Sequence, residues 1–462
     1  MELQKKSFLG GLKSDFKEHR EEVTIAVNMA WPAVMESFFV ALAGMIDSLM
    51  VSTIGAYAVA AVGLTTQPKF VGLAIFIATN VSVSAIVARR RGEQDRKGAN
   101  QVLLMAMLFV ILMGAVISTC FVKFAEPLMH LAGSGEDTHE AAVLYFRIIM
   151  GGMMFNILSL VINAAQRGSG NTKIAMRTNI TSNLINMIGN YILINGHLGF
   201  PAMGIKGAAL ATVFGTVVAC CMSFWSIMDR DNFVSLPYIF TEQIRPSLEA
   251  AKSMVKISSS VFLEQILLRV GFMSVSIMTA KLGTQAFAAH QVGMNVMSLS
   301  FSFGDGMQVA AVALIGRSLG QQNPELAKTY GRLCRYMGGM ISICLSLCYL
   351  LFGRFLYRLY FTEPDIIAMG VRIMRVMVLV VLLQVGQVIY MGCLRGAGDI
   401  AFTTMASTIS VTFVRPIMSY VCCYVLGIGL IGIWMGIICD QLCRYIMTSL
   451  RFKSGKWVNI KI

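Results

Sequence analysis

The stretch WPAVMESFFVALAGMIDSLMVSTIG, residues 31–55, is as long and apolar as a membrane-crossing helix, and Asp47 interrupts its second half. Crossing about 30 Å of hydrocarbon takes about 20 apolar residues as helix, and only helices or closed barrels satisfy their backbone hydrogen bonds in lipid. The rest of the chain is similar, because 56% of its 462 residues are hydrophobic and only 13% are charged. This composition predicts a polytopic membrane protein.

Further apolar runs of helix length follow the first one along the chain. Together they predict an all-α fold with twelve transmembrane helices. The predicted spans lie near residues 24–55, 59–88, 101–122, 143–164, 178–196, 203–228, 257–280, 286–316, 334–353, 372–394, 403–426 and 429–449.

Basic residues are concentrated at the tails and in the even-numbered loops, as in "RRRGEQDRKG" from Arg89 and the C-terminal "RFKSGKWVNIKI". Since positive loops stay cytoplasmic, both termini are predicted inside. The odd-numbered loops, which this topology places outside, are nearly free of basic residues; the exceptions are Lys123, Lys206, Lys281 and the ninth loop. This topology accounts for the net charge of +14, so no nucleic-acid partner is expected.

The polar first 22 residues do not form a signal peptide, so the first span is expected to act as the targeting signal. The compact loops favour a prokaryotic inner membrane. Twelve helices with an internal cavity need no partner subunit, so we expect a functional monomer in contact with membrane lipid.

Four pairs of motifs recur at a constant shift of 228 residues, which indicates an internal duplication. Gly55 corresponds to Gly283, Arg89 to Arg317, "QRGSGN" from 166 to "LRGAGD" from 394, and "LGFPAMGI" from 198 to "LGIGLIGI" from 426. The chain is therefore predicted to contain two six-helix lobes, residues 1–228 and 229–462. Six is even, so both lobes enter the membrane from the same side, and a substrate cavity is expected between them.

Several of these motifs carry a resemblance to a known family. The stretch 31–55, the "RRRG" loop, "QRGSGNT", "LRGAGD", and "NMIGNYILING" before "GIKGAALAT" resemble the multidrug and toxic compound extrusion (MATE) family over essentially the whole chain. The resemblance implies a two-lobed transporter that alternates access between the membrane faces. It also implies export of organic, often cationic, compounds in exchange for Na⁺ or H⁺.

Asp47 is a functional candidate, because a charge at membrane depth is costly unless it faces a cavity, a partner or an ion. Helical rise places Asn186, Asn190 and Thr212 at a similar depth in the same half. One carboxylate with amide and hydroxyl oxygens suits a monovalent cation such as Na⁺, and it equally suits a titratable carboxyl. The alternative is that the asparagines only join helices by hydrogen bonds.

The MATE resemblance implies that these four residues carry cation coupling in the N-lobe. In one branch of the family an aspartate stands where this chain has Asn190. The sequence therefore resembles the branch with asparagine there, and it has one charge fewer for holding Na⁺. No metal site other than this possible Na⁺ site is predicted.

The second half contains other intramembrane charges, Glu264, Arg269 and Asp305. They form either a self-neutralising structural network or a second site for cation or substrate. Resemblance favours a functional Glu264, because many family members use an acid in the seventh helix. Gln384 replaces the acid that one branch carries in the tenth helix.

Three further residues have structural interpretations. Pro32 removes a helix hydrogen bond and permits a kink in the first span that could be coupled to protonation. Glu36 corresponds to Glu264 under the 228-residue shift, and we expect it to be interfacial and hydrated. Arg415 is expected to satisfy carbonyl groups freed by Pro416.

The resulting functional prediction is a secondary antiporter that exports drug-like, cationic organic compounds in exchange for H⁺ or Na⁺, without a cofactor. A flippase for lipid intermediates is the alternative within the same superfamily, although few basic residues are available to line its cavity. A membrane-embedded enzyme is disfavoured, because the sequence has no clustered acids or histidines for a metal. The glycine loops also lack the GxxxxGK[ST] pattern of nucleotide-driven pumps.

Overall fold

The computed structural model describes residues 20–54, 56–132, 134–136, 138–361, 363–458 and 460. Every regular element in these ranges is a helix. Residues 1–19, which carry most of the predicted basic N-terminal tail, and Gly55 of the first repeated motif lie outside the described residues. The chain divides into two compact units.

The first unit, here the N-unit, comprises Glu36–Phe262. Its helices are α1 (Arg20–Ser52, from Glu36 onward), α2 (Ala56–Gly92), α3 (Arg96–Lys123), α4 (Ala125–Leu131), α5 (His139–Gly151), α6 (Met153–Gly168), α7 (Thr172–Asn195), α8 (Gly204–Ile227), α9 (Leu236–Thr241) and the start of α10 (Leu248–Ala280).

The second unit, here the C-unit, comprises the described residues up to Met35 together with those from Leu263 onward. Besides the rest of α1 and α10 it contains α11 (Thr284–Gly320), α12 (Pro324–Arg358), α13 (Pro364–Gly396), α14 (Ile400–Ser407), α15 (Arg415–Tyr420) and α16 (Leu430–Lys453), with π-helical segments at Thr408–Val414 and Val421–Val425. The division into lobes 1–228 and 229–462 remains a prediction.

All twelve predicted spans overlap these helices. In the described part of the chain, ten helical segments are long and apolar enough to cross a membrane, and α5 with α6 forms an eleventh span bent by 46°. The fifth predicted span corresponds to α7, which is 24 residues long but carries five asparagines. The all-α, membrane-spanning fold class is confirmed.

The repeated "RG-x-G" motifs form the same helix end in both units. The second glycine of each, Gly170 and Gly398, has a positive φ, which terminates the helix in a left-handed turn. The first glycine of each, Gly168 and Gly396, lies against a backbone carbonyl of α2 or α11, so that an added Cβ would be 2.6 or 2.5 Å from that oxygen. Duplication of the sequence therefore reproduces a close helix contact as well as a turn.

Helices α7 and α8 pack closely because small residues line their contact. A Cβ on Gly207 would lie 2.5 Å from the Leu193 carbonyl oxygen, and one on Gly215 would lie 2.8 Å from that of Ser182. Small residues at such a contact let two membrane helices approach each other closely. This contact fixes the register of the polar residues that the two helices carry.

Replacing Gly207 with valine should destabilise the protein, because the side chain meets backbone that cannot move aside. We expect a loss of about 1–3 kcal/mol, the usual cost of overpacking, measured by thermal unfolding in detergent. Gly63 has no neighbouring atom within 4 Å of an added Cβ, so Gly63→Val is the matched control. Equal melting temperatures for the two variants would contradict the packing argument.

Candidate cation site and ion-pair networks

The four residues predicted to couple a cation lie together in the N-unit. Asp47 comes from α1, Asn186 and Asn190 from α7, and Thr212 from α8. The spacing of four residues places both asparagines on one face of α7. The close contact between α7 and α8 brings Thr212 to the same place.

Hydrogen bonds join the four side chains into one cluster. The amide nitrogens of Asn186 and Asn190 both donate to the same oxygen of Asp47, Oδ1, with a distance of 3.4 Å for Asn186. The Thr212 hydroxyl lies 3.3 Å from Asn186 Oδ1 and 3.0 Å from the Ala208 carbonyl oxygen. The asparagines therefore hold a carboxylate, in addition to any role in joining helices.

One oxygen in this cluster lacks a donor. Asn190 is fully buried, and its Oδ1 accepts no hydrogen bond from any residue in the described ranges. Buried polar atoms almost always have a partner. A proton on Asp47 could donate to this oxygen, and a bound Na⁺ could be held by it together with the carboxylate.

Lys69 also acts on Asp47, and sequence analysis did not single it out. It lies in α2 and interacts electrostatically with the Asp47 carboxylate, although these two described side chains form no direct ion pair. The signal was available, since Lys69 interrupts the second predicted span as Asp47 interrupts the first. This lysine supplies part of the charge compensation that a carboxylate needs at this depth.

Glu36 is buried in an ion pair, so the expectation of a hydrated, interfacial glutamate is wrong. Its Oε1 accepts hydrogen bonds from Arg167 at 2.9 Å and from Asn179 at 2.6 Å. Arg167 in turn donates to Asn80 Oδ1 at 3.2 Å. The arginine of the "QRGSGN" motif gives Glu36 the partner that the prediction lacked.

Glu264 has the equivalent partner in the C-unit. Arg395 donates to both of its carboxylate oxygens, at 2.8 and 2.6 Å, and both side chains are buried. The side-chain amide of Gln308 bridges Arg395 and Asp305 when it is oriented so that both its oxygen and its nitrogen are hydrogen-bonded. Its oxygen then accepts from Arg395 Nη1 at 3.3 Å, and its nitrogen donates to Asp305 Oδ1 at 3.3 Å. Glu264 and Asp305 thus belong to one network, joined by two residues that sequence analysis did not select.

The two networks occupy equivalent positions in the duplicated sequence. Glu36, Asn80 and Arg167 correspond to Glu264, Gln308 and Arg395 under the shift of 228 residues. The sequence already paired Glu36 with Glu264 and showed an arginine in both RG motifs. It did not show that the motif at the end of one helix approaches the glutamate of another.

The other predicted residues of the second site lie on the same helices. Arg269 is in α10, five residues after Glu264, and is partly buried. Gln384 is buried in α13, and its Oε1 accepts no hydrogen bond from the described part of the chain. The functional roles of both residues remain predictions.

Pro32, the residue predicted to permit a kink, lies inside α1. Its coupling to protonation also remains a prediction.

Arg415 binds a carboxylate, so the expectation that it satisfies carbonyl groups near Pro416 is wrong. Its Nε donates to Asp440 Oδ2 at 2.9 Å, and Arg444 donates to the same oxygen at 3.0 Å. Arg415 also lies over the ring of Phe272, with 4.7 Å to the centroid. Asp440 is fully buried, so this cluster neutralises a carboxylate inside the C-unit.

One protein-family model matches the chain at two separate places. The MatE family model matches residues 32–192 and again residues 261–421. The two matches are offset by nearly the same distance as the repeated motifs, which confirms the internal duplication.

Individual relatives and a solved structure agree with this match. The chain is 26% identical over 446 residues to a probable multidrug resistance protein, NorM, of Thermotoga maritima, covering 96% of this chain and 94% of that protein. It is 26% identical to the transporter YisQ of Bacillus subtilis, covering 93% and 94%. The outward-facing structure of a multidrug resistance MATE family transporter superposes with a TM-score of 0.87 at 22% identity, covering 94% and 97% of the two chains.

Replacing Arg395 with methionine should leave Glu264 as an unpaired buried charge and destabilise the protein by about 3–5 kcal/mol. Glu264→Gln with Arg395→Met in the same chain should recover part of this loss, because neither charge then remains. Thermal unfolding of the two single variants and the double variant gives the coupling energy.

The exposed pair between Arg147 and Glu126, at 2.8 Å, provides the control. Arg147→Met should cost less than about 1 kcal/mol, as exposed pairs do. Purely additive effects of the Glu264 and Arg395 substitutions would show that the buried pair does not act as a unit.

Proposed function

Because this chain belongs to the MATE family of membrane transporters, we propose that it is a secondary antiporter. It exports drug-like, cationic organic compounds in exchange for H⁺ or Na⁺ by alternating access. Both termini are cytoplasmic in this proposal, the membrane is a prokaryotic inner membrane, and the chain acts as a monomer.

The observation that carries the proposal is the cluster around Asp47. Two amide groups of α7 hold one oxygen of this carboxylate, and the buried Oδ1 of Asn190 has no donor among the described residues. A proton or a Na⁺ ion would supply the missing interaction, and both are ions that such transporters exchange for substrate. We propose Asp47, Asn186, Asn190 and Thr212 as the coupling site.

Asp47 and Glu264 differ in how their charge is compensated, which supports different roles for them. Arg395 bonds both oxygens of Glu264, whereas the described side chains around Asp47 form no direct ion pair with it. Binding a cation at Glu264 would compete with a guanidinium, and binding at Asp47 would not. We therefore propose Asp47 as the principal coupling residue. Glu264, Asp305, Gln384 and Arg269 remain the predicted second site.

The test is accumulation of a fluorescent organic cation in inside-out proteoliposomes, driven separately by a Na⁺ gradient and by a pH gradient. Asp47→Asn should abolish gradient-driven accumulation, because the amide neither binds a proton nor neutralises Na⁺. Asp229→Asn, a neutralisation in the polar segment after α8, is the matched control and should transport as the wild type does.

The two gradients identify the coupling ion, since only one of them is expected to drive uptake. Glu264→Gln measured beside Asp47→Asn separates the two carboxylates, and retained transport would assign Glu264 to structure alone. Normal transport by Asp47→Asn would refute the coupling site. An inactive wild type under both gradients would refute the organic-cation assignment.

A further inference from the structure

A cavity of about 740 Å³ lies between the end of α12 and the start of α13 in the C-unit. Four arginines line it: Arg354 and Arg358 from α12, and Arg372 and Arg375 from α13. Apolar side chains such as Phe361 form the rest of its wall. The cavity is remote in sequence from Asp47, and the proposed transport mechanism makes no use of it.

The arginines project from two helices that are held firmly together. Arg354 and Arg358 are four residues apart and Arg372 and Arg375 three apart, so each pair occupies one face of its helix. A Cβ added to Gly370 would lie 2.1 Å from the Tyr357 ring, which shows how closely the helices pack.

A second contact fixes the same end of α12. The Tyr357 hydroxyl donates to the Ala289 carbonyl oxygen of α11 at 2.8 Å, and the tyrosine is fully buried. On the α13 side, a Cβ on Gly353 would lie 2.9 Å from Met374. The backbone that carries the four guanidinium groups is therefore well anchored.

The four arginines of this cavity are exposed, and their charge exceeds that of the acidic residues in the same segment. Residues 354–375 carry four arginines and two acids, Glu363 and Asp365, which gives 4 − 2 = +2. No acidic side chain in the described ranges forms an ion pair with any of the four arginines, whereas Arg167, Arg395 and Arg415 each bind a carboxylate. Four guanidinium groups around one cavity repel each other, and a bound anion would relieve this repulsion.

The position of the cluster makes the excess charge more unusual. Residues 354–371 join the ninth and tenth predicted spans, and Arg372 and Arg375 follow in the first turn of the tenth. The proposed topology places this end of both spans on the outer side. Basic residues are generally depleted there, and the ninth loop is the main exception in this chain. The cluster is therefore not explained by topology, which accounts for the other basic loops.

We propose that this cavity binds a phosphate-bearing anion. Guanidinium groups match phosphate oxygens in bidentate geometry. Basic pockets between membrane helices on the cytoplasmic side are known to bind lipid head groups, and the same chemistry applies to a phosphate at the outer side. The apolar wall, including Phe361 and Ile367, suits a ligand with hydrocarbon attached to its phosphate. Both an anionic phospholipid headgroup and free phosphate carry the required group.

Native mass spectrometry of the purified full chain in detergent tests the proposal. The chain is titrated with phosphatidylglycerol and, separately, with phosphatidylcholine of the same acyl chains. We expect one phosphatidylglycerol to be retained in preference. Arg354→Gln with Arg358→Gln, and Arg372→Gln with Arg375→Gln, should each weaken this binding at least about tenfold, the effect of losing one charged hydrogen bond.

Lys206→Gln with Lys281→Gln removes two exposed cations from other predicted outer loops and serves as the control for general charge effects. Its lipid binding should equal that of the wild type. The double lysine variant, Arg354→Lys with Arg358→Lys, keeps the charge but loses the bidentate geometry, so weakened binding would assign the effect to that geometry. Melting temperatures verify that each variant is folded.

A second arm uses inorganic phosphate alone and follows the melting temperature. Preferential lipid binding that the glutamine variants lose supports the proposal and identifies a lipid headgroup. A phosphate-dependent rise in melting temperature that they lose, without lipid preference, supports it and identifies a soluble anion. The proposal would be overturned if, in both arms, the two arginine-to-glutamine double variants behaved like the wild type and like the control Lys206→Gln with Lys281→Gln.

Discussion

Buried carboxylates in this protein must be neutralised within the helix bundle, and the arginine–glutamate pair at the end of a motif helix achieves this in both units. Arg167 binds Glu36 and Arg395 binds Glu264, at positions that the duplication makes equivalent. An uncompensated charge at such depth costs several kcal/mol. Each pair therefore fixes where the RG motif lies relative to the first helix of its half, and the adjoining glycines allow the helices to come that close.

Asp47 departs from this pattern, and on that ground we propose a separate role for it. Two amide groups bond it and Lys69 interacts with it electrostatically, whereas the two glutamates each bind an arginine, so its negative charge is stabilised without being cancelled. Under the 228-residue shift the second half has Val275 at this position. The duplication thus preserved the structural ion pair in both halves, whereas the candidate coupling site exists in one half only.

The C-unit uses its additional charges in two further ways. The cluster of Arg415, Asp440 and Arg444 closes on itself in the interior and neutralises a carboxylate. The four arginines between α12 and α13 have no such partner among the described residues and face a cavity. The same residue type therefore serves for cohesion where a carboxylate is supplied, and for ligand binding in our proposal where none is.

The sequence alone determined the fold class, the family and the duplication, because apolar length and motif spacing are properties of the chain itself. It also selected Asp47 and its three companions, since depth along a helix follows from a constant rise per residue. It could not assign the partners of Glu36, Glu264 or Arg415, which come from other helices more than twenty residues away along the chain. Only the tertiary structure decided these pairings, because a buried ion pair depends on which helix faces pack together, and helical periodicity does not specify that.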